Sequence, residues 1–499
     1  MPGKRISRLR INIAANFFGK GWTVIMGLAF TPLYVKVLGV ESYGLIGIYV
    51  TAQALVSVLD FGMGTALGRD LARYHEEPEK AGYLRGLART LEVLYWCVAL
   101  AIVLAGAVLS HWLADHWIGS SGLTSDAMAT TLALMAWSLA FQWPFSLYSA
   151  GMNGLQRQFL LNKIVTGWAT FRWGGAAAVL LFVSPTIHAF FVWQIVAGLL
   201  QSTTTAWIFW RQLPATNSPA GFQPALLRGV GRFASGVAGA AILGMVLTQL
   251  DKIMLSKLLP LKQFAYYSLA ASVATALYLT VSPVITAVLP KLSALATRPD
   301  SSELYVTFHK TGMLVAALLF PVAWTLILFA EDIVLVWMGN ADVARHSSLL
   351  VSLIAFGTML NALVHAPHAL LLAYGNSRFW FVVNLISMLL MVPAIFILTT
   401  RFGAVGAPVA WIALNLGYLF LAVPMMPIPR QERLRWYKRS ILLPLVAVGT
   451  VSGAVKWMQP EYFHGLPALL WIFLSLAMGG LTSLVLFRNE RSRTAIPPG

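Results

Sequence analysis

Charge is scarce in this chain. Asp, Glu, Lys and Arg make up 11% of its 499 residues, against about 25% in a soluble domain. Cysteine is nearly absent. The one thiol, Cys97, lies in an apolar run, so neither a disulfide framework nor a cysteine metal site can be built. Long polar insertions are missing too. The longest expected outward loops, around 111–126 and 331–345, run to roughly 15 residues, which excludes an inserted soluble domain. Acid is the scarcer charge: 18 Asp and Glu face 35 Lys and Arg, for a net +17.

What is present is apolar length. Hydrophobic residues make up 58% of the chain, and a membrane-spanning helix needs about 20 in a row. Fourteen spans are expected, at roughly 11–38, 42–67, 89–110, 127–151, 162–184, 187–210, 229–259, 263–289, 307–330, 346–373, 377–400, 404–427, 440–458 and 466–487. The predicted fold class is therefore an all-α polytopic membrane protein. The N-terminal MPGKRISRLR resembles the basic region of a signal peptide, but the apolar run after it is too long and has no small-residue cleavage site. It reads as a retained first span behind a cytoplasmic basic tail.

Cation placement sets the orientation. With the N-terminus inside, 26 Lys and Arg fall on the inner side, six on the outer side, and three, Lys20, Arg172 and Lys252, inside spans. That asymmetry places both termini in the cytoplasm. It also accounts for most of the positive charge without nucleic acid.

A weak internal repeat suggests duplication. LGVESYGLIGIY from Leu38 and LPLKQFAYYSLA from Leu259 each join two spans through a short turn, at an offset of about 221 residues. The expected organisation is an N-terminal lobe at 1–215 (spans 1–6), a second lobe at 216–430 (spans 7–12), and an appended 431–499 with spans 13 and 14 and a cytoplasmic tail. Pro144, Pro283, Pro321 and Pro393 fall within spans, where each is a bend or simply one of the prolines that membrane helices tolerate.

Three stretches carry a family resemblance. LDFGMGTALGRDLARY (59–74) closes the second span, TPLYVKVLGVESYGL (31–45) covers the first turn, and TQLDKIMLS (248–256) lies in the seventh span. Together with the fourteen-span layout they resemble polysaccharide and O-antigen flippases, in the superfamily of multidrug and toxin extruders and peptidoglycan-precursor flippases. The resemblance implies a two-lobed helical bundle in the bacterial inner membrane. It implies transport of a polyprenyl-pyrophosphate-linked oligosaccharide from the cytoplasmic to the outer leaflet, for O-antigen, capsule or exopolysaccharide assembly. A polysaccharide polymerase and a chain-length regulator are the implied protein partners; no cofactor is.

Moving a diphosphate through hydrocarbon requires cations and hydrogen-bond donors in place of water. A buried Lys or Arg costs roughly 2.5–3.5 kcal/mol at mid-span on insertion scales, so such a residue is a site candidate. Lys20, between Gly19 and Gly21, and Arg172, in TFRWGGA, are the deep substrate-binding candidates. Lys252, nearer the outer end of its span, is the third, with outward snorkelling as its alternative. Asp60 and Asp251 are candidates for gating or ion coupling. For Asp60 the structural alternatives are a pair with Arg69 or Lys20, or a cap near Gly62 and Gly64. Adjacent residues on a helix point about 100° apart, so Asp251 and Lys252 are not expected to face each other. Glu92 is expected at the interface.

Gln53, Gln142, Gln194, Gln249, Asn361, Asn384 and Asn415 also lie within spans. They suit sugar hydroxyls or, more commonly, interhelical hydrogen bonds. His365 and His368 sit one turn apart with no evident third ligand, so no metal site is expected. A drug or cation exporter on the same fold should carry intramembrane acids in excess, which this chain does not. A membrane glycosyltransferase or polymerase should carry a sizeable outer loop or an acidic metal motif, also missing, so no enzyme is expected. A peptidoglycan-precursor flippase remains an open alternative.

Overall fold

The computed structural model describes residues 2–118, 122–216, 220–298 and 302–493; side chains are described from Gly19 onward, except Lys20, Arg228, 230–241, Ser377 and 490–493. Regular structure among them is entirely helical, as the hydropathy pattern predicts. The helices are α1 (Pro2–Leu38), α2 (Val40–Ser57), α3 (Met63–Tyr74), α4 (Ala81–His116), α5 (Ser125–Gln142), α6 (Phe145–Gly154), α7 (Gln158–Phe182), α8 (Ile187–Gln212), α9 (Ala225–Leu258) and α10 (Leu261–Thr275). There follow α11 (Tyr278–Ala296), α12 (Ser302–Leu328), α13 (Ala330–Met338), α14 (Ala341–Ala373), α15 (Ser377–Phe402), α16 (Gly406–Gly417), α17 (Arg430–Trp436), α18 (Leu443–Trp457) and α19 (Ala468–Arg493). Contacts divide the chain into two compact units, Met1–Ala265 and Tyr266–Gly499.

Ten helical stretches among the described residues are long and apolar enough to cross a membrane, short of the expected fourteen. One of the ten, Arg378–Met425, is 48 residues long. It is divided where Gly403 takes a positive φ of 61° between α15 and α16.

Two expected spans are interrupted. The second span does not run from 42 to 67: it ends in a tight turn at Val58–Asp60, and Phe61 and Gly62 take φ of 44° and 80° before α3 starts. Glycine adopts that conformation freely, whereas Phe61 is strained in it. The expected 127–151 span breaks into α5 and α6 at Trp143–Pro144, because proline has no N–H to offer the preceding turn. Pro283, Pro321 and Pro393 instead lie inside continuous helices.

In the first unit, α1 lies along α7. Gly19 meets the Asn162 side chain, Trp22 Nε1 donates to Thr170 Oγ1 at 2.9 Å, and Tyr34 Oη donates to the Trp173 carbonyl at 2.5 Å. The core behind them packs Leu67, Leu71, Leu84, Leu91, Tyr95 and Phe209. There α3 and α6 cross at backbone distance. A methyl on Gly154 would overlap the Gly68 backbone, and one on Gly68 would sit 3.0 Å from the Ala150 carbonyl. Small residues permit this approach, and in lipid such van der Waals contact is a main source of helix association.

The second unit repeats the principle with different partners. Gly357 on α14 accepts the ring of Trp411 on α16. Trp324 Nε1 on α12 donates to the Leu445 carbonyl at 3.1 Å, and Thr325 on α12 meets Ser475 on α19 at 2.8 Å.

Candidate functional site

Arg172 is the centre of a polar core inside the first unit. It lies about 21 Å along α7 from Gln158, at 1.5 Å per residue, deep within the helix as the sequence suggests. Its Nε donates to Gln194 Oε1 on α8 at 2.5 Å. Its Nη2 donates to Tyr49 Oη on α2 at 3.1 Å. Tyr49 Oη also accepts from Gln142 Nε2, so its own hydroxyl hydrogen is directed to Ser138 Oγ on α5, 2.8 Å away. Gln142 Nε2 donates to Ser138 Oγ as well (2.7 Å), while its Oε1 accepts from Gln53 Nε2 at 2.9 Å.

Every partner in this chain of bonds is neutral. Tyr49, Ser138 and Gln194 are buried, and among the described residues no carboxylate pairs with Arg172. The guanidinium is therefore solvated by oriented dipoles rather than neutralised. Such an arrangement lowers the cost of the half-buried charge and leaves its field to act on an anion. Gln194 adds a second feature. With Oε1 facing Arg172, its fully buried Nε2 has no acceptor among the described residues. The amide is thus turned to serve the cation at the expense of its own donor.

The glutamines at 53, 142 and 194 are interhelical hydrogen-bonding residues. Tyr49 and Ser138, the hub of the network, carried no sequence signal: a lone Tyr or Ser in an apolar span reads as packing.

Lys20 lies on α1, but its side chain falls outside the described residues. Asp60 is a cap. Its Oδ1 accepts from the Gly64 N–H at 3.0 Å and from Tyr95 Oη. Arg69, one alternative partner, instead holds Asp70 at 2.9 Å. The LD–G sequence is thus a break inside a span whose freed N–H groups need an acceptor. The carboxylate supplies one where the chain turns through Phe61 and Gly62.

Asp251 and Lys252 are closer than expected from helix geometry. Lys252 Nζ lies 3.9 Å from Asp251 Oδ1 and 3.4 Å from Gln249 Oε1. The 100° argument holds for Cβ directions, but a four-carbon stem can fold back along the helix. Near the C-terminal end of the same helix, Ser256 Oγ accepts from Trp117 Nε1 at 3.1 Å. Glu92, expected at the interface, is buried among side chains of the first unit. It accepts from Arg89 at 2.5 Å, Tyr148 at 2.8 Å and Trp210 at 2.9 Å.

The second unit has its own neutral network. Asn361 Oδ1 accepts from Tyr278 Oη at 2.8 Å, and Asn361 Nδ2 donates to Asn415 Oδ1 at 2.7 Å. Near it, His365 Nδ1 lies 3.2 Å from the Asn361 carbonyl, and the His368 ring stands edge-on to Trp380. Outside the expected spans, Asp332 on α13 is buried and takes three donors: Lys456 at 2.9 Å, His464 at 2.9 Å and Gln459 at 3.2 Å. Burial works against its ionisation, but these three hydrogen bonds outweigh it and hold the carboxyl below its usual range.

Comparison with known proteins gives this architecture its family. The family described as polysaccharide biosynthesis protein matches residues 9–296, more than half of the chain, and the MatE family matches 237–397. A Shigella flexneri protein described as "Putative O-antigen transporter" is 20% identical over 401 residues, covering 80% of this chain and 93% of that one. Among solved structures, the lipid II flippase MurJ in an inward closed conformation superposes with a TM-score of 0.69 at 15% identity, over 96% of this chain and 99% of its own. The MATE multidrug transporter DinF-BH, solved as a complex, gives 0.59 at 13% identity, over 86% and 96%. At such identities these two structures speak to the fold alone. The chain is an all-helical, multi-pass membrane protein, and it belongs to the polysaccharide biosynthesis protein family.

Proposed function

We propose that this protein carries a polyprenyl-pyrophosphate-linked oligosaccharide from the cytoplasmic to the outer leaflet of the bacterial inner membrane, for surface polysaccharide assembly. The observation that carries the reading is Arg172: a cation deep in a span, held by neutral dipoles and without a described carboxylate partner. A diphosphate needs such a charge, and a cationic drug would be repelled by it. Transport proceeds by alternating access, with a cationic cavity that replaces the water around the diphosphate.

Arg172 supplies a planar donor fork suited to phosphate oxygens, and Lys20 and Lys252 supply further cations. Asp60 and Asp251 serve gating or ion coupling. The lobes of this cycle are 1–215 and 216–430, with 431–499 appended and both termini cytoplasmic. Polymerase and chain-length regulator act on the product at the outer face.

The test is made in cells that depend on this protein for surface polysaccharide. Lys20→Ala and Arg172→Ala should abolish the polymer at normal expression, and Lys20→Arg should restore part of it. If Lys20→Ala, Lys20→Glu and Arg172→Ala all sustain normal surface polysaccharide, the diphosphate is not bound by these cations and the reading fails.

A further inference from the structure

Three elements of the second unit leave a narrow cleft between them that the transport reading does not use. It lies between Met313 of α12, Arg439 and Leu443 at the entry to α18, and Ser483, Leu486 and Phe487 of α19. Its empty space is about 290 Å³, counting the open mouth. Arg439 stands in the wide π turn Tyr437–Leu442 that joins α17 to α18, and such turns collect at functional sites.

The walls are apolar except for two groups. Arg439 is half-buried. Ser483 is 2% exposed, and its Oγ has no hydrogen-bond partner among the described residues. A hydroxyl inside a helix can bond back to the carbonyl four residues earlier. Thr482 does so, to Met478 at 2.8 Å, and Ser483 does not. An orphaned hydroxyl at that burial costs free energy until something accepts its hydrogen.

Depth follows from charge spacing. No Asp, Glu, Lys or Arg occurs from Ala468 to Phe487, and those twenty residues rise about 30 Å, the hydrocarbon thickness. Arg488 marks the end of that layer, and Ser483 lies about 7–8 Å inside it. On the facing wall, the uncharged stretch 440–455 begins directly after Arg439. The guanidinium therefore stands at headgroup level. The hydroxyl lies just below it, at the level of phospholipid ester carbonyls. Charge at this end is one-sided. Residues 430–439 and 488–493 hold eight Lys and Arg against Glu432 and Glu490, and Glu432 is engaged by His309 at 2.5 Å.

We propose that this cleft binds an anionic phospholipid of the bilayer. Its phosphate rests on Arg439, a glycerol ester carbonyl accepts from Ser483 Oγ, and an acyl chain leaves past Leu443 and Leu486. The two polar contacts divide the recognition. The ester contact is common to every diacyl phospholipid and sets retention. Arg439 sets the headgroup preference, because a cation favours a headgroup with unbalanced negative charge. Among the described residues no carboxylate lines the cleft, so the ammonium of a zwitterionic headgroup finds no partner there.

The experiment uses the full-length protein in detergent with equal amounts of phosphatidylglycerol and phosphatidylethanolamine. Native mass spectrometry counts retained lipid, and thermal unfolding is followed on the same samples. Phosphatidylglycerol should be retained about fivefold over phosphatidylethanolamine, the scale of one cation at a membrane surface. Arg439→Gln should erase that preference, and Arg439→Lys should keep most of it. Ser483→Ala should lower retention of both lipids by roughly two- to tenfold and leave the preference unchanged. Arg430→Gln removes a charge of the same group from outside the cleft and should change neither. Leu443→Trp, at the exposed rim, should exclude the lipid with every charge in place, which tests the site even if Arg439→Gln folds poorly. Inorganic phosphate should not displace the lipid; displacement would make this a site for free phosphate and overturn the assignment. Full retention by Ser483→Ala means that water satisfies the hydroxyl, and equal losses in Arg430→Gln and Arg439→Gln mean diffuse attraction. Either result overturns the proposal. Arg172→Ala should retain the lipid normally, which separates failure here from failure of the transport reading.

Discussion

Replacing Arg172 with Met separates a transport role from a structural one. Methionine keeps much of the length and removes the charge. Two opposing effects act on stability. Removing a mid-span cation recovers roughly 2.5–3.5 kcal/mol on insertion scales. Two hydrogen bonds from a charged donor, to Gln194 and Tyr49, are lost, each worth about 1.5–3 kcal/mol. Tyr49 keeps its bonds to Ser138 and Gln142, and Gln194 is free to reorient its amide. The two effects nearly cancel, so unfolding in detergent should shift by no more than about 1–2 kcal/mol.

Transport should not be spared. If Arg172 meets the diphosphate, its loss removes at least one charge-assisted contact, about 1.5–3 kcal/mol, or roughly a 10–150-fold fall in rate. The assay follows leaflet exchange of a fluorescent lipid-linked oligosaccharide in proteoliposomes, with thermal unfolding of the same preparations. Near-normal exchange by Arg172→Met would refute the reasoning, because the half-buried cation would then be a structural residue only. Unfolding of the variant by more than about 4 kcal/mol would place Arg172 among the groups that hold the fold.

Other outcomes follow from the same geometry. Tyr95→Phe removes a donor to Asp60 and should destabilise the first unit by about 1–3 kcal/mol, read as a lower unfolding temperature. Gly154→Val drives a branched side chain into the Gly68 backbone. It should cost about 1–3 kcal/mol or more and show as reduced yield of folded protein, whereas Gly453→Ala on α18 meets open space and should leave the yield unchanged. The Asp332 cluster predicts an acid dependence. Its carboxyl is held below the usual range, so its stabilisation is complete above the ordinary carboxylate pKa of about 3.9. It is lost as pH falls through the lower folded value. Unfolding measured from neutral to strongly acid pH should show this loss, and Asp332→Asn should flatten that part of the profile.

Much of the fold is written in the local sequence. The apolar runs dictate helices because lipid leaves a backbone no other partner than itself. The depth of Arg172 could be counted from the ends of its span, and the cap at Asp60 was one of the alternatives legible in LDFGMG. The break after Asp60 was harder to read, since Phe61 gives no warning of a left-handed conformation and hydropathy continues through it. Pro144 ended a helix while Pro283, Pro321 and Pro393 did not. The difference lies in whether neighbouring turns re-form around the missing N–H, which a sequence does not state.

By itself the sequence determined that this protein lies in a membrane, that its helices dominate, and that charges such as Arg172 and Glu92 fall within long apolar helices. Composition and spacing suffice for that, because the bilayer imposes the same length and polarity on every span. Only tertiary structure decided who satisfies those charges. Tyr49, Ser138, Gln142 and Gln194 come from three helices far apart in sequence and meet Arg172 only when those helices pack. Glu92 is likewise buried by Tyr148 and Trp210, more than fifty residues away. A side chain's solvation is a property of its neighbours, and neighbours across helices are set by packing.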